Sequence, residues 1–443
     1  MSLLIRGGTI VTMNKQNEIL RGTSLLIEGN QIADILPSSF KYEKSNLEII
    51  DASNLVITPG FIQTHVHLCQ TLFRGLADDL QLLDWLREKI FPMEAAHNEQ
   101  SMYISAKAGI AELIKSGTTT ILDMGSIHHE EEIIRAIGET GLRAFVGKAM
   151  MDINDIFPGL KESTKDSLRS TLALAERWHN SSNERIKYAV APRFVLSCSD
   201  GLMRDAYEMI DNFRGMLFHT HASENEIEIE RVRNRCKMDN IEFLHELGLL
   251  SERTCLAHCI YLNENEFNLL QSTKTNVAHC PSSNLKLGSG IANIPKLLKM
   301  GVTVSLGADG APCNNTLNMF QEMRLASLIQ KPKHGPATMN AKSVFEMATI
   351  NGARALGLGN EIGSIEVGKK ADLTFLNLEQ IQNPYSSTNN IYSSIVFSSG
   401  PENVDSVMID GVWVYRKKEF LTLDEHKSIA EAGKELQKLI HRL

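Results

Sequence analysis

Eight short apolar segments, 61–66, 119–123, 142–148, 187–191, 216–221, 254–258, 275–279 and 302–308, recur through the middle of the chain, with amphipathic helical patterns between them. Alternation of this kind builds a parallel sheet, because each helix carries the chain back across one face. Eight such units are the number that closes the sheet into a (β/α)8 barrel. One intervening stretch, NEQSMYISAKAGIAELIKSG at 98–117, carries a full helix signature, with Asn98 as N-cap and Gly117 as the stop. The strand ends constrain the fold further. At or just past each C-terminal end stands a polar residue: His65 and His67, Asp123, Lys148, Arg193, His221, His258, His279 and Asp309. In such a barrel these ends converge on one mouth, where active sites lie.

The flanks follow a different pattern. LLIRGGTIVTMNKQNEILRGTSLLIEGNQIADILP near the start, and VGKKADLTFLNLE and VDSVMIDGVWVYRKKEF near the end, are β-type runs broken by turns. They predict a small β-sandwich built from both termini, residues 1–58 and 361–443, around a barrel of residues 59–360. A chain of 443 residues is long for one core, which fits this division. The last stretch, Asp424–Leu443, reads as a surface helix with an apolar stripe and late basic residues.

Composition excludes several classes of partner. Hydrophobic content of 43% and charged content of 22% are ordinary for a globular protein. A net charge of −8 disfavours nucleic acid or an anionic membrane as partner. No apolar run reaches membrane-spanning length, and the start reads as strand rather than signal peptide. The seven cysteines, at 69, 198, 236, 255, 259, 280 and 313, are scattered and form no Cys-x-x-Cys, as expected of reduced thiols in a cytoplasmic protein.

The chemistry starts in PGFIQTHVHLCQ, where His65 and His67 lie two residues apart on a strand and therefore share a face. LFHTHASE adds His219, His221 and Glu224, CLAHC adds His258, and LGADGAP adds Asp309. His65, His67, His221 and Asp309 supply three imidazoles and one carboxylate, a donor set for one divalent ion such as zinc. Such an ion lowers the pKa of water to about 7, making it a nucleophile at neutral pH. Glu224, one turn past His221, is placed to carry a proton to the departing group. His258 is assigned to orient the water, and Asp309 to hold the ion and accept the water proton. His219 lies deeper on the same face and reads as structural. Asp123 reads as a hydrogen-bond partner beneath the site, His128 and His129 as rim residues, and Cys69 as packing. Strand parity turns Cys259 and Cys280 away from the mouth. A second ion would call for a carboxylate or lysine at the end of the fourth strand, which instead ends in Ala191-Pro192. One ion is expected. A non-catalytic metal-binding scaffold would leave the acid and the water-orienting histidine without a purpose.

These motifs, with PSSNLKLGSGIANIPKLLKMGVTVSLGADGAPCNNTLNMFQEMRLA and the closing GSIEVGKKADL, resemble the amidohydrolase superfamily along essentially the whole chain. The resemblance is to its aminohydrolase branch, which includes deaminases of 5′-modified adenosines, guanine deaminases and s-triazine hydrolases. It implies a distorted (β/α)8 barrel with a β-sandwich from both termini, and a homo-oligomer. It also implies one zinc or iron ion on the residues matching His65, His67, His221 and Asp309, with proton transfer by those matching Glu224 and His258. The triazine chlorohydrolase lineage includes members lacking the acid, so Glu224 favours deamination. Glu94, in IFPMEAAH, matches a carboxylate that accepts hydrogen bonds from ribose hydroxyls in the adenosine group. Gln70 and Arg193, in APRF, match guanine-reading positions instead. Lys148 replaces an arginine of the adenosine group, which disfavours S-adenosylhomocysteine. Substrate contacts are thus expected from Gln70, Glu94, Lys148, Arg193 and Glu224. The implied reaction is deamination of a purine nucleoside such as 5′-deoxyadenosine or methylthioadenosine. Free guanine or oxidised guanine is the alternative, followed by an s-triazine.

Overall fold

The structure, a computed structural model, describes residues 2–37, 39–40, 47–154, 157–379 and 390–443. At its centre, Phe61–His67, Thr118–Asp123, Arg143–Val146, Ile186–Pro192, Leu217–Ala222, Thr254–His258, Asn276–His279 and Val304–Leu306 pair in parallel, each with the next. The circuit closes through the eighth strand. Its first half pairs with the seventh strand, and Asp309–Gly310 pairs with Val66 and His67 of the first. Gly307 lies between these halves because the first strand runs too close for a side chain. A Cβ there would stand 2.6 Å from the His65 carbonyl oxygen.

Two expected strands are interrupted. The third stops at Val146, and a separate bridge, Ala149–Met150, pairs with the end of the fourth. The break falls at Gly147, where a Cβ would sit 1.7 Å from the Ala189 carbonyl oxygen. The eighth strand breaks after Leu306, and Asp309 resumes pairing with φ +62°. In both, close approach of a neighbouring strand forces a jog that periodicity does not reveal.

Among the described residues the two flanks meet in one nine-stranded ladder, joined where Val56–Pro59 pairs antiparallel with Leu373–Leu376. The first strand, Ser2–Val11, changes partner across a register shift, pairing with Leu47–Asp51 before it and with Val56 and Ile57 after it. Such irregularities bend a sheet. Leu3, Ile5, Ile10, Leu25, Ile27, Ile57, Leu373 and Phe375 share its apolar core.

A buried charge cluster ties this sheet to the barrel. Arg143 donates through Nε to Asp372 Oδ2 at 2.7 Å and through Nη2 to Asp372 Oδ1 at 3.0 Å and Asp410 Oδ1 at 3.2 Å. Asp372 belongs to the KKADL motif, which thereby has a structural role. Arg143→Ala would leave the buried Asp372 without its cation and Asp410 with only Lys370, 3.9 Å away, and is expected to cost about 3–5 kcal/mol. Urea denaturation should show a lower midpoint.

The C-terminal helix, Glu425–Ile440, is more than a surface element. Leu439 is buried beside Leu72 and Phe73, and Arg442 Nε donates to the Ala96 carbonyl at 2.6 Å. Among the described residues, no helix is long and apolar enough to cross a membrane.

Candidate active site

At the barrel mouth the structure brings His65, His67, His221 and Asp309 together, one donor atom from each lying within 4.8 Å of the others. His65 Nε2 is 3.3 Å and His67 Nε2 3.4 Å from Asp309 Oδ1, and His67 Nε2 is 3.2 Å from His221 Nε2. The strands deliver these groups by alternation and by backbone strain. Ser223, His258, Cys259 and Asp309 have φ of +55°, +76°, +48° and +62°, left-handed values costing each non-glycine residue about 1–3 kcal/mol. All four lie at the ends of the fifth, sixth and eighth strands.

The imidazole protons are set by hydrogen bonding. His219 Nδ1 faces the Cys255 carbonyl at 2.8 Å, and an acceptor-only oxygen requires the proton on that nitrogen. His219 Nε2 therefore accepts from His65 Nδ1 at 2.8 Å, which leaves His65 Nε2 bare and buried with no partner. His221 Nδ1 likewise donates to the Arg193 carbonyl at 2.7 Å, so its Nε2 is bare too. Burial lowers the pKa of His65 and holds His67 and His221 well below the ordinary imidazole range, keeping their lone pairs free. Burial works to raise the Asp309 carboxyl, and positive charge at the adjoining rings, His65 first, would hold it well below the usual range; with the rings neutral, that charge is what a bound cation would supply. Ser283 Oγ donates to Asp309 Oδ2 at 2.6 Å, and the Gly310 amide to Oδ1 at 2.8 Å. Unprotonated nitrogens converging on an ionised carboxylate fit a divalent cation.

His258 Nε2 lies 3.5 Å from Glu224 Oε2 and 3.9 Å from Asp309 Oδ2, while its Nδ1 meets Asn284 Oδ1 at 2.8 Å. Glu224 sits in the turn between Leu217–Ala222 and the helix Glu226–Cys236. Glu228, which closes that helix's capping box, accepts from the Glu224 amide at 2.7 Å. Burial, reinforced by the charges of Asp309 and Glu228, pushes the Glu224 carboxyl well above its ordinary pKa.

His67, His221, Glu224, His258 and Asp309 share a cavity of about 30 Å³ with Gln70 and Arg193 and with an apolar wall of Leu82, Trp85, Leu86, Phe194 and Leu287. Two expected substrate contacts lie elsewhere. Lys148 does not line the cavity; the jog at Gly147 turns its Nζ to Glu162 and to the Ala149 carbonyl, 3.2 Å away. Glu94 does not line it either. It sits behind Gln70 and Arg193, accepting from Gln70 Nε2 at 2.8 Å and from Arg193 Nη1 and Nη2 at 2.7 and 3.1 Å. His67, Cys69 and Glu94 form a second trio of donor atoms. Arg193 already neutralises Glu94, and burial pushes the Cys69 thiol well up, so hydrogen bonding rather than an ion accounts for this trio.

Asp123 accepts from the Leu68 and Gly125 amides at 2.8 and 2.9 Å, bracing the first two strand ends below the site. His128 is exposed, its Nε2 3.1 Å from the Gly159 carbonyl, and His129 starts the acidic helix at φ +60°. Cys259, Cys280 and Cys313 are buried and unpaired, and none lines the cavity. His279 stands at its strand end with both ring nitrogens lacking partners, its pKa pushed down to about 3 by burial. Sequence reasoning gave no role to Ser283 and Asn284, although PSSNLKLG was visible; Pro281 opens the short helix that carries both to the mouth. The Leu82–Trp85 wall gave no local signal.

A family model described as the amidohydrolase family matches residues 56–414. The 5′-deoxyadenosine deaminase of Methanothermobacter thermautotrophicus is 38% identical over 440 residues, covering 98% of each chain. The 5-methylthioadenosine/S-adenosylhomocysteine deaminase of Carboxydothermus hydrogenoformans is 36% identical, covering 99% of each. The crystal structure of an adenosine deaminase from Xanthomonas campestris with bound zinc superposes with a TM-score of 0.91 at 27% identity, covering 99% of this chain and 98% of that one. With its strand-end histidines around Asp309 and this match over most of its length, the chain belongs to the amidohydrolase family.

Proposed function

We propose that this protein is a hydrolytic deaminase of an adenosine-type nucleoside altered at its 5′ carbon, such as 5′-deoxyadenosine or methylthioadenosine. The products are ammonia and the inosine analogue. The observation that carries this reading is the buried Glu224 carboxyl, its pKa raised by that burial, facing His258 beside the His65, His67, His221 and Asp309 group. Its setting is a chain 38% identical to a 5′-deoxyadenosine deaminase. Those four residues would hold one divalent ion, zinc by donor set with iron as the alternative. When bound, the ion supplies Lewis-acid activation of water at neutral pH.

The chain's own groups do the rest. Glu224 gives its proton to the ring nitrogen beside the amino-bearing carbon, making that carbon electrophilic. His258 Nε2 hydrogen-bonds the attacking oxygen and orients it, with Asn284 fixing the ring. Asp309 takes the water proton as the carbon–oxygen bond forms and returns it to the amino nitrogen. The carbon–nitrogen bond then breaks and ammonia leaves, while the proton still on the added oxygen passes to the Glu224 carboxylate, which leaves the carbonyl and restores the acid.

A second reading, a guanine-type base as substrate, is favoured by one observation. With Gln70 Nε2 tied to Glu94, Gln70 Oε1 is a buried acceptor without a partner. Beside it Arg193 supplies donors. Guanine offers a ring N–H next to a carbonyl, matching that acceptor and those donors. Adenine's only N–H donor is the amino group that the reaction places over the metal-ligand cluster, so a nucleoside would meet Gln70 Oε1 with a sugar hydroxyl instead. Ammonia release by metal-loaded protein from 5′-deoxyadenosine and guanine, under identical conditions, decides between them. Faster release from guanine overturns the nucleoside reading and leaves the mechanism standing.

Either substrate needs more room than the cavity has. About 30 Å³ holds a water or two, not a purine. The wall that has to yield is Leu82, Trp85 and Leu86, where the helix passes into a π-helical turn, Leu86–Ile90. Such turns recur at functional sites. Trp85 Nε1 donates to the Ala77 carbonyl at 3.0 Å, latching this segment to the preceding loop. Binding of the inosine-analogue product should therefore shift Trp85 emission, a change expected to vanish in Trp85→Phe.

A further inference from the structure

Glu94 offers the observation that leads beyond this reading. Its carboxylate is buried in a bidentate pair with Arg193, both side chains almost wholly enclosed. Phe91, one turn earlier on the same short helix, lies with its ring 5.2 Å from the Arg193 guanidinium. An ionised carboxylate only accepts hydrogen bonds, so the Gln70 group 2.8 Å from Oε1 has to be its NH2 end. That contact fixes the amide orientation and sends Gln70 Oε1 the other way. There the backbone of Gly310 makes room, since a Cβ at 310 would stand 2.1 Å from this oxygen. Gln70 and Arg193 line the cavity and Glu94 does not.

We propose that Glu94 is a positioning residue: it touches no substrate and instead fixes the orientation of the Gln70 amide and the Arg193 guanidinium at the cavity wall. The wall it organises presents one acceptor beside several N–H donors. That pattern recognises a ligand edge on which a donor adjoins an acceptor, whether a lactam edge of a base or a sugar hydroxyl beside a ring nitrogen. Glu94 sets the shape of the site through two other residues, much as an outer hydrogen-bond partner orients a metal ligand. This assignment rests on the purine-deaminase reading for its probes, though not on which purine is preferred.

The test is steady-state kinetics on 5′-deoxyadenosine and guanine, with inhibition constants for inosine and hypoxanthine. The proteins are the metal-loaded parent, Glu94→Gln, the double variant Gln70→Ala/Arg193→Met, and that double variant with Glu94→Leu added. Glu94→Gln is expected to raise KM and both inhibition constants by about tenfold or more, in the same pattern across ligands as the double variant. Adding Glu94→Leu to the double variant should change each constant by less than about twofold, because its partners are already gone. A further loss of about tenfold in the triple variant, or a loss from Glu94→Gln confined to nucleosides, would show that Glu94 contacts the ligand and overturn the assignment. So would an unchanged double variant. If Glu94→Gln, or the double variant that leaves Glu94 buried without its cation, does not fold, Glu94→Leu/Arg193→Met and the triple variant carry the comparison, since apolar replacement of a whole buried ion pair is commonly tolerated. A loss in Glu94→Leu/Arg193→Met confined to nucleosides would overturn the assignment. A parent that releases ammonia from no purine refutes the deaminase reading itself and this assignment with it, a failure visible before any variant is made.

Discussion

Glu224→Gln is expected to reduce kcat by about 10²–10⁴-fold, the range for losing a general acid. The substitution keeps size and hydrogen-bonding capacity but removes the proton the reaction needs. Glu224 is not among the four clustered donors, so metal content should stay at the parent's value. The same residue sets the sign of a pH effect. Burial and the charges of Asp309 and Glu228 raise its pKa, so the active, protonated form persists to higher pH than an ordinary carboxyl would allow. Activity should therefore fall as pH rises through that raised value, and the alkaline limb should disappear from the residual activity of Glu224→Gln. Ammonia release across pH, beside metal analysis of each protein, checks both. Normal turnover in the variant would remove Glu224 from the mechanism.

Removing the divalent ion is expected to have an effect of similar or greater size. Lewis-acid activation contributes several kcal/mol, so chelation should lower kcat/KM by about 10³-fold or more, and zinc should restore it. The bare Nε2 atoms of His65 and His221 face Asp309, with His67 Nε2 3.2 Å from His221 Nε2 and 3.4 Å from Asp309 Oδ1, an arrangement that a divalent ion satisfies. His221→Ala removes one of these donors and should block restoration by zinc. Binding should also stabilise the fold, by about 2.7 kcal/mol when free zinc is a hundredfold above its dissociation constant. Metal content and the thermal midpoint of chelated and reloaded protein provide the readouts. One ion per chain is expected; two would mean that the His67, Cys69 and Glu94 trio binds after all.

Much of the barrel was legible because its signal is local. Strand period, helix caps and turn residues lie within a few positions of one another, and polar residues at successive strand ends mark which end is the mouth. The interruptions at Gly147 and Gly307 were not legible, since each follows from the approach of a different strand to the glycine. The latch of Arg143 on Asp372 and Asp410 joins residues more than two hundred positions apart, and nothing local announces it.

The site divides along the same line. By itself the sequence determined which residue types stand at the strand ends, hence the three imidazoles, the carboxylate and the acid, because alternation along a strand and convergence of a barrel follow from chain geometry. Only the tertiary structure decided what each neighbour does to them. It turned Lys148 to Glu162, withdrew Glu94 behind Gln70 and Arg193, set His219 to hold the His65 proton, and laid Trp85 across the cavity. Hydrogen bonding and desolvation act over a few ångströms in space, and residues that meet at that range can lie anywhere along the chain.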